Sequence, residues 1–146
     1  MKKQLLTFAA IVLTASLFTA CTRGARTTSG HFLNATSGSI GSFASTGSSV
    51  VTDGAVGAKI VIDGRAASGA QLLVVINPYT AVTGPLAIVS GGNTTCQYIN
   101  AAGDSIKTAA HGSITLTSVS PDIVGSFTYT ASDSSVVTGT FNAPMP

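Results

Sequence analysis

Thiols and imidazoles are the scarcest of the side chains in this sequence that could take part in covalent chemistry. The first thiol, Cys21, lies directly after LFTA (17–20), at the end of an apolar run near the start of the chain. The thiolate is a strong nucleophile, and the small side chains of Thr19 and Ala20 leave the neighbouring backbone accessible to a modifying enzyme. We therefore predict that Cys21 is a site of covalent modification.

The segment before Cys21 is typical of a secretory signal peptide. Its apolar run (5–18) follows Lys2 and Lys3 and ends in small residues. Fourteen helical residues would extend about 21 Å, short of the roughly 30 Å of a bilayer core. The pattern therefore indicates export rather than a membrane span.

LFTAC (17–21) resembles the lipobox of bacterial lipoproteins, in which the cysteine receives a diacylglycerol. Phe18 stands where Leu is usual, with Leu17 one place earlier. The resemblance implies a signal peptide over 1–20, lipidation of Cys21 and an acyl anchor in a membrane. Thr22, rather than Asp, after the cysteine favours the outer membrane by analogy. The alternative is an ordinary signal peptide with an incidental cysteine at its boundary.

The charge balance argues against nucleic acid as a partner. The chain has seven basic residues and five acidic ones, all of them Asp. Loss of Lys2 and Lys3 with the signal peptide leaves five of each sign, so the processed chain is close to neutral. No basic patch for nucleic acid is expected. Residues 22–30 are polar and Gly-containing, and we predict a flexible tether over 21–30.

The remaining reactive residues do not form a catalytic or metal-binding pattern. Cys96 is left unpaired and is expected to be buried and inert. His31 and His111 are the only candidate general bases, and no G-x-S-x-G sequence occurs. The five Asp residues are scattered, mostly beside Gly or Ser in predicted turns such as Asp53-Gly54 and Asp63-Gly64. We therefore predict a non-enzymatic protein with no catalytic, metal or cofactor residues.

The aromatic residues leave one candidate for an exposed contact. Sugar-binding β-sandwiches favour exposed Trp and Tyr, and this chain has no Trp. Tyr79 follows Pro78 in a predicted loop and is the best candidate for a contact residue, although a packing role is favoured over that of a contact.

Short alternating segments separated by turn residues predict an all-β domain over 31–146. Strands are expected at the following residues: 31–36, with Phe32 and Asn34 on one face; 40–44; 58–64, ending in an Asp-Gly turn; 71–77, as a central strand buried on both faces; 85–90; and 95–100.

The last third of the chain alternates most clearly. Segments 112–120, 122–132 and 135–143 place apolar residues and two glycines on one side and Ser or Thr on the other. They predict a three-stranded antiparallel meander with one face in water. Gly125 and Gly139 are expected to be bulges or to make room for Phe127 or Phe141 on the opposite strand. Strands at these spacings predict an antiparallel β-sandwich, with a small β-barrel as the alternative.

Four sequences resemble a group of small bacterial lipoproteins that carry a β-sandwich domain of unknown function: FLNAT (32–36), VIDG (61–64), VGSFTYTA (124–131) and VTGTFNA (137–143). The resemblance covers most of the processed chain and implies a lipid-anchored β domain. It brings no catalytic residues.

These features together predict an exported, lipid-anchored module of the cell envelope that acts by binding or adhesion or as a structural component. Its expected partners are the membrane, through Cys21, and another envelope protein or a glycan. The alternatives are a carrier of small apolar ligands inside a β-barrel and, less favoured, a hydrolase.

Overall fold

The computed structural model of the chain describes residues 30–52, 57–103 and 106–145. All regular structure in these ranges is β-strand. The ten strands are β1 Phe32–Ser37, β2 Gly41–Ala44, β3 Ser48–Thr52, β4 Ile60–Arg65, β5 Gln71–Ile76, β6 Gly84–Val89, β7 Thr95–Ile99, β8 Ile106–Val119, β9 Asp122–Ala131 and β10 Val136–Pro144. The described ranges contain no helix of the length and apolarity that a membrane span requires.

The strands follow from alternation of apolar and polar residues. In β9, Ile123, Gly125, Phe127 and Tyr129 are buried, and the Ser and Thr residues between them lie towards solvent. This is the two-residue period of a strand with one covered face. The predicted inward faces of β8, β9 and β10 are confirmed.

All strand pairs are antiparallel. The order is β2-β1-β10-β9-β8-β7-β5-β4-β3, and β6 pairs with β8 beside this path. The beginning of β8 pairs with β7, and its later part pairs with β6 on one edge and β9 on the other. Because β8 is shared, the sheet folds over itself into two halves. One half contains β2, β1, β10, β9, β8 and β6, and the other contains β3, β4, β5 and β7.

The two halves approach each other again at the ends of this path, so the sheet is nearly closed. The chain after β2 crosses between them: the Ser45 amide donates to the Leu33 carbonyl at 3.0 Å, and the Thr46 amide donates to the Arg65 carbonyl at 2.9 Å. In β3, the buried Ser48 hydroxyl donates to the Asn142 carbonyl of β10 at 2.6 Å. The predicted all-β, antiparallel fold class is confirmed, with a geometry between a sandwich and a barrel.

Large side chains fill the space between the halves. The fully buried residues include Tyr129, Phe141, Leu33 and a series of Ile, Leu and Val side chains from both halves. Cross-strand pairing explains the two strand glycines: Gly139 lies opposite Phe127, and Gly125 lies opposite Phe141. The two Phe rings stack, with centroids 6.5 Å apart. The glycines therefore provide space for aromatic rings, as one of the two sequence-based interpretations predicted.

Several local predictions were wrong. In β1, Phe32 and Asn34 share a face as predicted, but the buried face is the other one, with Leu33 and Ala35. Both faces of this short segment offer an apolar residue, so only packing chooses between them. The predicted turn at Asp63-Gly64 is strand, and the chain turns instead between Ala66 and Ala70, whose backbone groups hydrogen bond at 2.9 Å.

The strand prediction also erred in extent and burial. β3 was missed among Gly and Ser residues, and β8 begins at 106 rather than 112. β5 is an interior strand as predicted, flanked by β4 and β7. Only one of its faces is fully buried; Leu73 and Val75 on the other face are half-buried. The Asp53-Gly54 turn, the signal peptide (1–20) and Cys21 lie outside the described residues.

Candidate binding surface

Tyr79, the sequence's best candidate for an exposed contact, is buried. Its side chain is 5% exposed, and its hydroxyl donates to the Val119 carbonyl at 3.4 Å and lies 3.9 Å from the sulfur of Met145. The loop after β5 folds its aromatic ring against the ends of β8 and β10, because the ring has apolar surface to bury and its hydroxyl finds a carbonyl there. Tyr79 is therefore not an exposed contact, and it has the packing role that the sequence analysis favoured.

Cys96 is fully buried in β7. Burial raises the pKa of its thiol far above the usual range, so the thiol stays protonated at neutral pH. A protonated, enclosed thiol is a poor nucleophile.

The fold brings together one histidine and one aspartate that are far apart in the sequence. His31, just before β1, places its Nε2 atom 3.2 Å from an Asp122 carboxylate oxygen at the start of β9. The His31 side chain is mostly covered, whereas His111 is exposed on β8. A His–carboxylate pair can orient an imidazole, and acyl-transfer sites add a nucleophile to such a pair. Sequence reasoning missed this contact, and no local signal could have found it.

The strands of the first half of the fold align their outward side chains in rows. The central row crosses five neighbouring strands, and each strand contributes one exposed hydroxyl residue. From β2 to β8, the residues in this row are Ser42, Thr36, Thr138, Thr128 and Ser113. Neighbouring strands lie about 4.8 Å apart, so the row is about 19 Å long.

A second row lies two residues along the strands, about 7 Å from the first. It contains Asn34, Thr140, Ser126 and Thr115, from β1 to β8. All four carry a hydroxyl or an amide, and all but Thr115 are exposed. We call these two rows together the hydroxyl face.

A third row borders the hydroxyl face on the other side. It contains Val136, Thr130, His111 and Val89, on β10, β9, β8 and β6. Val89 and Val136 are 58% and 51% exposed, and they are two of the three large apolar side chains that stand out as exposed in the described parts of the chain. The hydroxyl face therefore has an apolar rim at this edge.

The hydroxyl face carries no charged residue. Within the described ranges, every Lys, Arg and Asp lies outside the three rows. Four of these residues are paired elsewhere: Lys107 contacts Asp133, and Arg65 lies 3.4 Å from Asp63. The Lys107 ammonium and the Ser135 hydroxyl and amide hold the pKa of Asp133 well below its usual range. The side chains of the hydroxyl face are therefore all neutral.

Most hydroxyls of this face are available to a partner. Thr36 and Thr138 contact each other, with their oxygens 3.4 Å apart. In the described parts of the chain, the hydroxyls of Ser113, Ser126 and Thr128 have no protein hydrogen-bond partner. Each hydroxyl can both donate and accept, so the face offers donors and acceptors without a fixed polarity.

The hydroxyl face is backed by the rigid core. Phe127, Tyr129 and Phe141 point inward between its residues, with the Phe127 and Tyr129 ring centroids 6.1 Å apart. Four of the strands that carry the face pair over most of their lengths. The spacing of the outward side chains is therefore set before any partner arrives.

Within the described ranges, no group of three or more His, Cys, Asp or Glu side chains is placed to hold a metal ion. The sequence indicated that Thr115, Ser126, Thr128 and Thr130 share the solvent side of a meander. It did not indicate that β1 and β2 extend the same rows.

Comparison with known proteins does not assign the chain to a family, since no family model, curated protein or solved structure matches it.

Proposed function

We propose that this protein is an exported lipoprotein whose β domain is a non-enzymatic binding or adhesion module of the cell envelope. In this proposal, acyl chains on Cys21 hold the protein at the outer membrane. Residues 22–30 act as a tether, with a reach of about 16 Å as a random coil. The β domain then meets its partner, an envelope protein or a glycan, through an exposed surface.

One observation carries the binding role: the row of five exposed hydroxyls that crosses β2, β1, β10, β9 and β8. These side chains contribute little to stability, since substitutions at exposed sites away from special features usually change it by less than about 0.5 kcal/mol. A regular, uncharged array on a stiff sheet suits a partner that lies along it.

Large side chains in the interior support a binding site on the outside of the domain rather than one inside it. Tyr129, Phe127 and Phe141 lie between the two halves of the fold and are buried there. A carrier of small apolar ligands would need that space for its ligand. We therefore assign the partner to the outside of the sheet.

Retention on isolated cell envelopes tests the proposal. The full chain, purified in detergent, is mixed with envelope material from the producing cell, and the bound fraction is measured. Thr128→Lys places an ammonium group at the centre of the hydroxyl face. A partner that covers this group would remove its water at a high cost in free energy, so we expect the substitution to lower the bound fraction strongly. Thr108→Lys is the matched control, because Thr108 is also an exposed strand threonine but pairs with Gln97 on β7.

The control is expected to bind as the unchanged chain does. Equal binding by the unchanged chain and Thr128→Lys would refute a binding role for this face. Circular dichroism of both variants confirms that the fold is retained.

A further inference from the structure

We infer that the hydroxyl face binds extended chains of an uncharged polysaccharide, laid along its rows. This inference rests on the proposed binding function and names the chemistry of the partner.

Charge selects the class of partner. The charged side chains of the described ranges lie outside the rows, so a charged polymer would lose hydration at this face and gain no counter-charge. Nucleic acids and anionic lipids require Lys or Arg clusters. A neutral polymer meets a neutral face without this cost.

Hydrogen-bond chemistry also favours a polysaccharide as the partner. Sugars present hydroxyls that, like those of Thr36, Thr128 and Thr138, both donate and accept. Direct or water-bridged bonds can form at several positions along the same row. The central row extends about 19 Å over five strands, so it can contact several sugar units of one chain.

The composition of the face disfavours a conventional protein partner. Protein interfaces draw most of their affinity from Trp, Tyr and Arg anchors in pockets, while Ser and Thr contribute less. The three rows contain no Trp, Tyr or Arg. They therefore also lack the exposed aromatic side chains that sugar-binding β-sandwiches favour, so a glycan would be held by hydrogen bonds to the hydroxyls. Val89 and Val136 on the rim instead offer small apolar surfaces on which the C–H faces of sugar rings can lie.

The experiment measures depletion of the full chain, in detergent, by four insoluble uncharged polysaccharides: cellulose, chitin, an α-glucan and a mannan. We expect retention on at least one of them. Retention should persist at roughly 1 M salt, where the Debye length is about 3 Å, because the interaction involves no charge pairs.

Hydroxyl deletion then locates the site. Val has nearly the shape of Thr without the hydroxyl, so Thr36→Val, Thr128→Val and Thr138→Val each remove hydrogen bonds and preserve the strand. Each single substitution is expected to weaken retention about threefold to tenfold, and the triple variant by more than tenfold. Thr108→Val, outside the rows, is expected to leave retention unchanged.

Other outcomes overturn the inference. Absence of retention on all four polysaccharides, equal retention by the triple variant, or retention that is lost at high salt would each do so. If the protein is incorporated into growing ice and is retained on no glycan, the hydroxyl face would be assigned to the binding of ordered water instead. If Thr128→Lys still abolishes envelope binding while no glycan is retained, the proposed binding function survives and only the polysaccharide inference fails.

Discussion

Replacement of Gly139 by alanine tests the packing on which the stiffness of the hydroxyl face depends. A Cβ atom at this position would lie 2.3 Å from the Asn34 carbonyl oxygen and 2.3 Å from the Cζ atom of Phe127. Both distances are far below the roughly 3.5 Å of an ordinary contact. The carbonyl belongs to the β1 backbone, so relief requires movement of a strand and not only of a side chain.

Two opposing effects determine how much Gly139→Ala changes the free energy of unfolding. Overpacking a filled site costs about 1–3 kcal/mol. Alanine also restricts the unfolded chain, which stabilises the fold by about 0.4–1 kcal/mol. We therefore expect a net loss of about 1–2 kcal/mol in the free energy of unfolding.

Urea unfolding of the full chain, followed by far-ultraviolet circular dichroism, measures the effect of Gly139→Ala. Gly38→Ala is the matched control, since a Cβ atom there meets nothing within 4 Å. Shortening the opposing ring should relieve the clash, so Phe127→Leu is expected to cost less stability in the Gly139→Ala chain than in the unchanged chain. Equal stability of Gly139→Ala and the unchanged chain would refute the argument that this glycine makes room for the ring.

Three further predictions concern the anchor, the buried thiol and Tyr79. Cys21→Ala is expected to release the exported protein from membranes, as measured by sedimentation at high salt; a variant that still sediments would contradict the lipid anchor. Burial raises the pKa of Cys96, so above about pH 8.5 the unfolded chain loses this proton before the folded chain does. Stability should therefore fall with rising pH there, by at most about 1.4 kcal/mol per pH unit for this group, with a shallower slope in Cys96→Ala; an unchanged slope would contradict the assignment. In urea unfolding, Tyr79→Phe should lower the free energy of unfolding by less than about 1 kcal/mol, because the hydroxyl's hydrogen bond is long. Tyr79→Ala should lower it by about 3–5 kcal/mol, because the packed ring is lost. Similar losses from both would argue against a packing role.

The clearest success of sequence reasoning is the last third of the chain. In β9, alternation correctly placed Phe127 and Tyr129 inside and Thr128 outside. Errors occurred where the local pattern was ambiguous. Either face of β1 could have been buried, and the Gly- and Ser-rich stretch before β3 carried too weak a pattern to reveal a strand.

Tyr79 shows how neighbouring elements decide the role of a single side chain. Its position after Pro78 indicated a loop, and loops are usually exposed. Whether a loop aromatic points outward depends on what lies beside it. Here the ends of β8 and β10 provide a carbonyl and apolar surface for its ring and hydroxyl.

The sequence by itself determined the all-β class and the inward and outward sides of the final strands, and it predicts an export signal before Cys21. These follow from local properties: the two-residue alternation of a strand and the composition of a short segment. The tertiary structure alone decided that Ser42, Thr36 and Thr138 stand in one row with Thr128, that Gly139 lies under Phe127, and that His31 meets Asp122. The physical reason is that neighbours across a sheet are chosen by long-range strand pairing and register, which depend on how the whole core packs and not on any one segment.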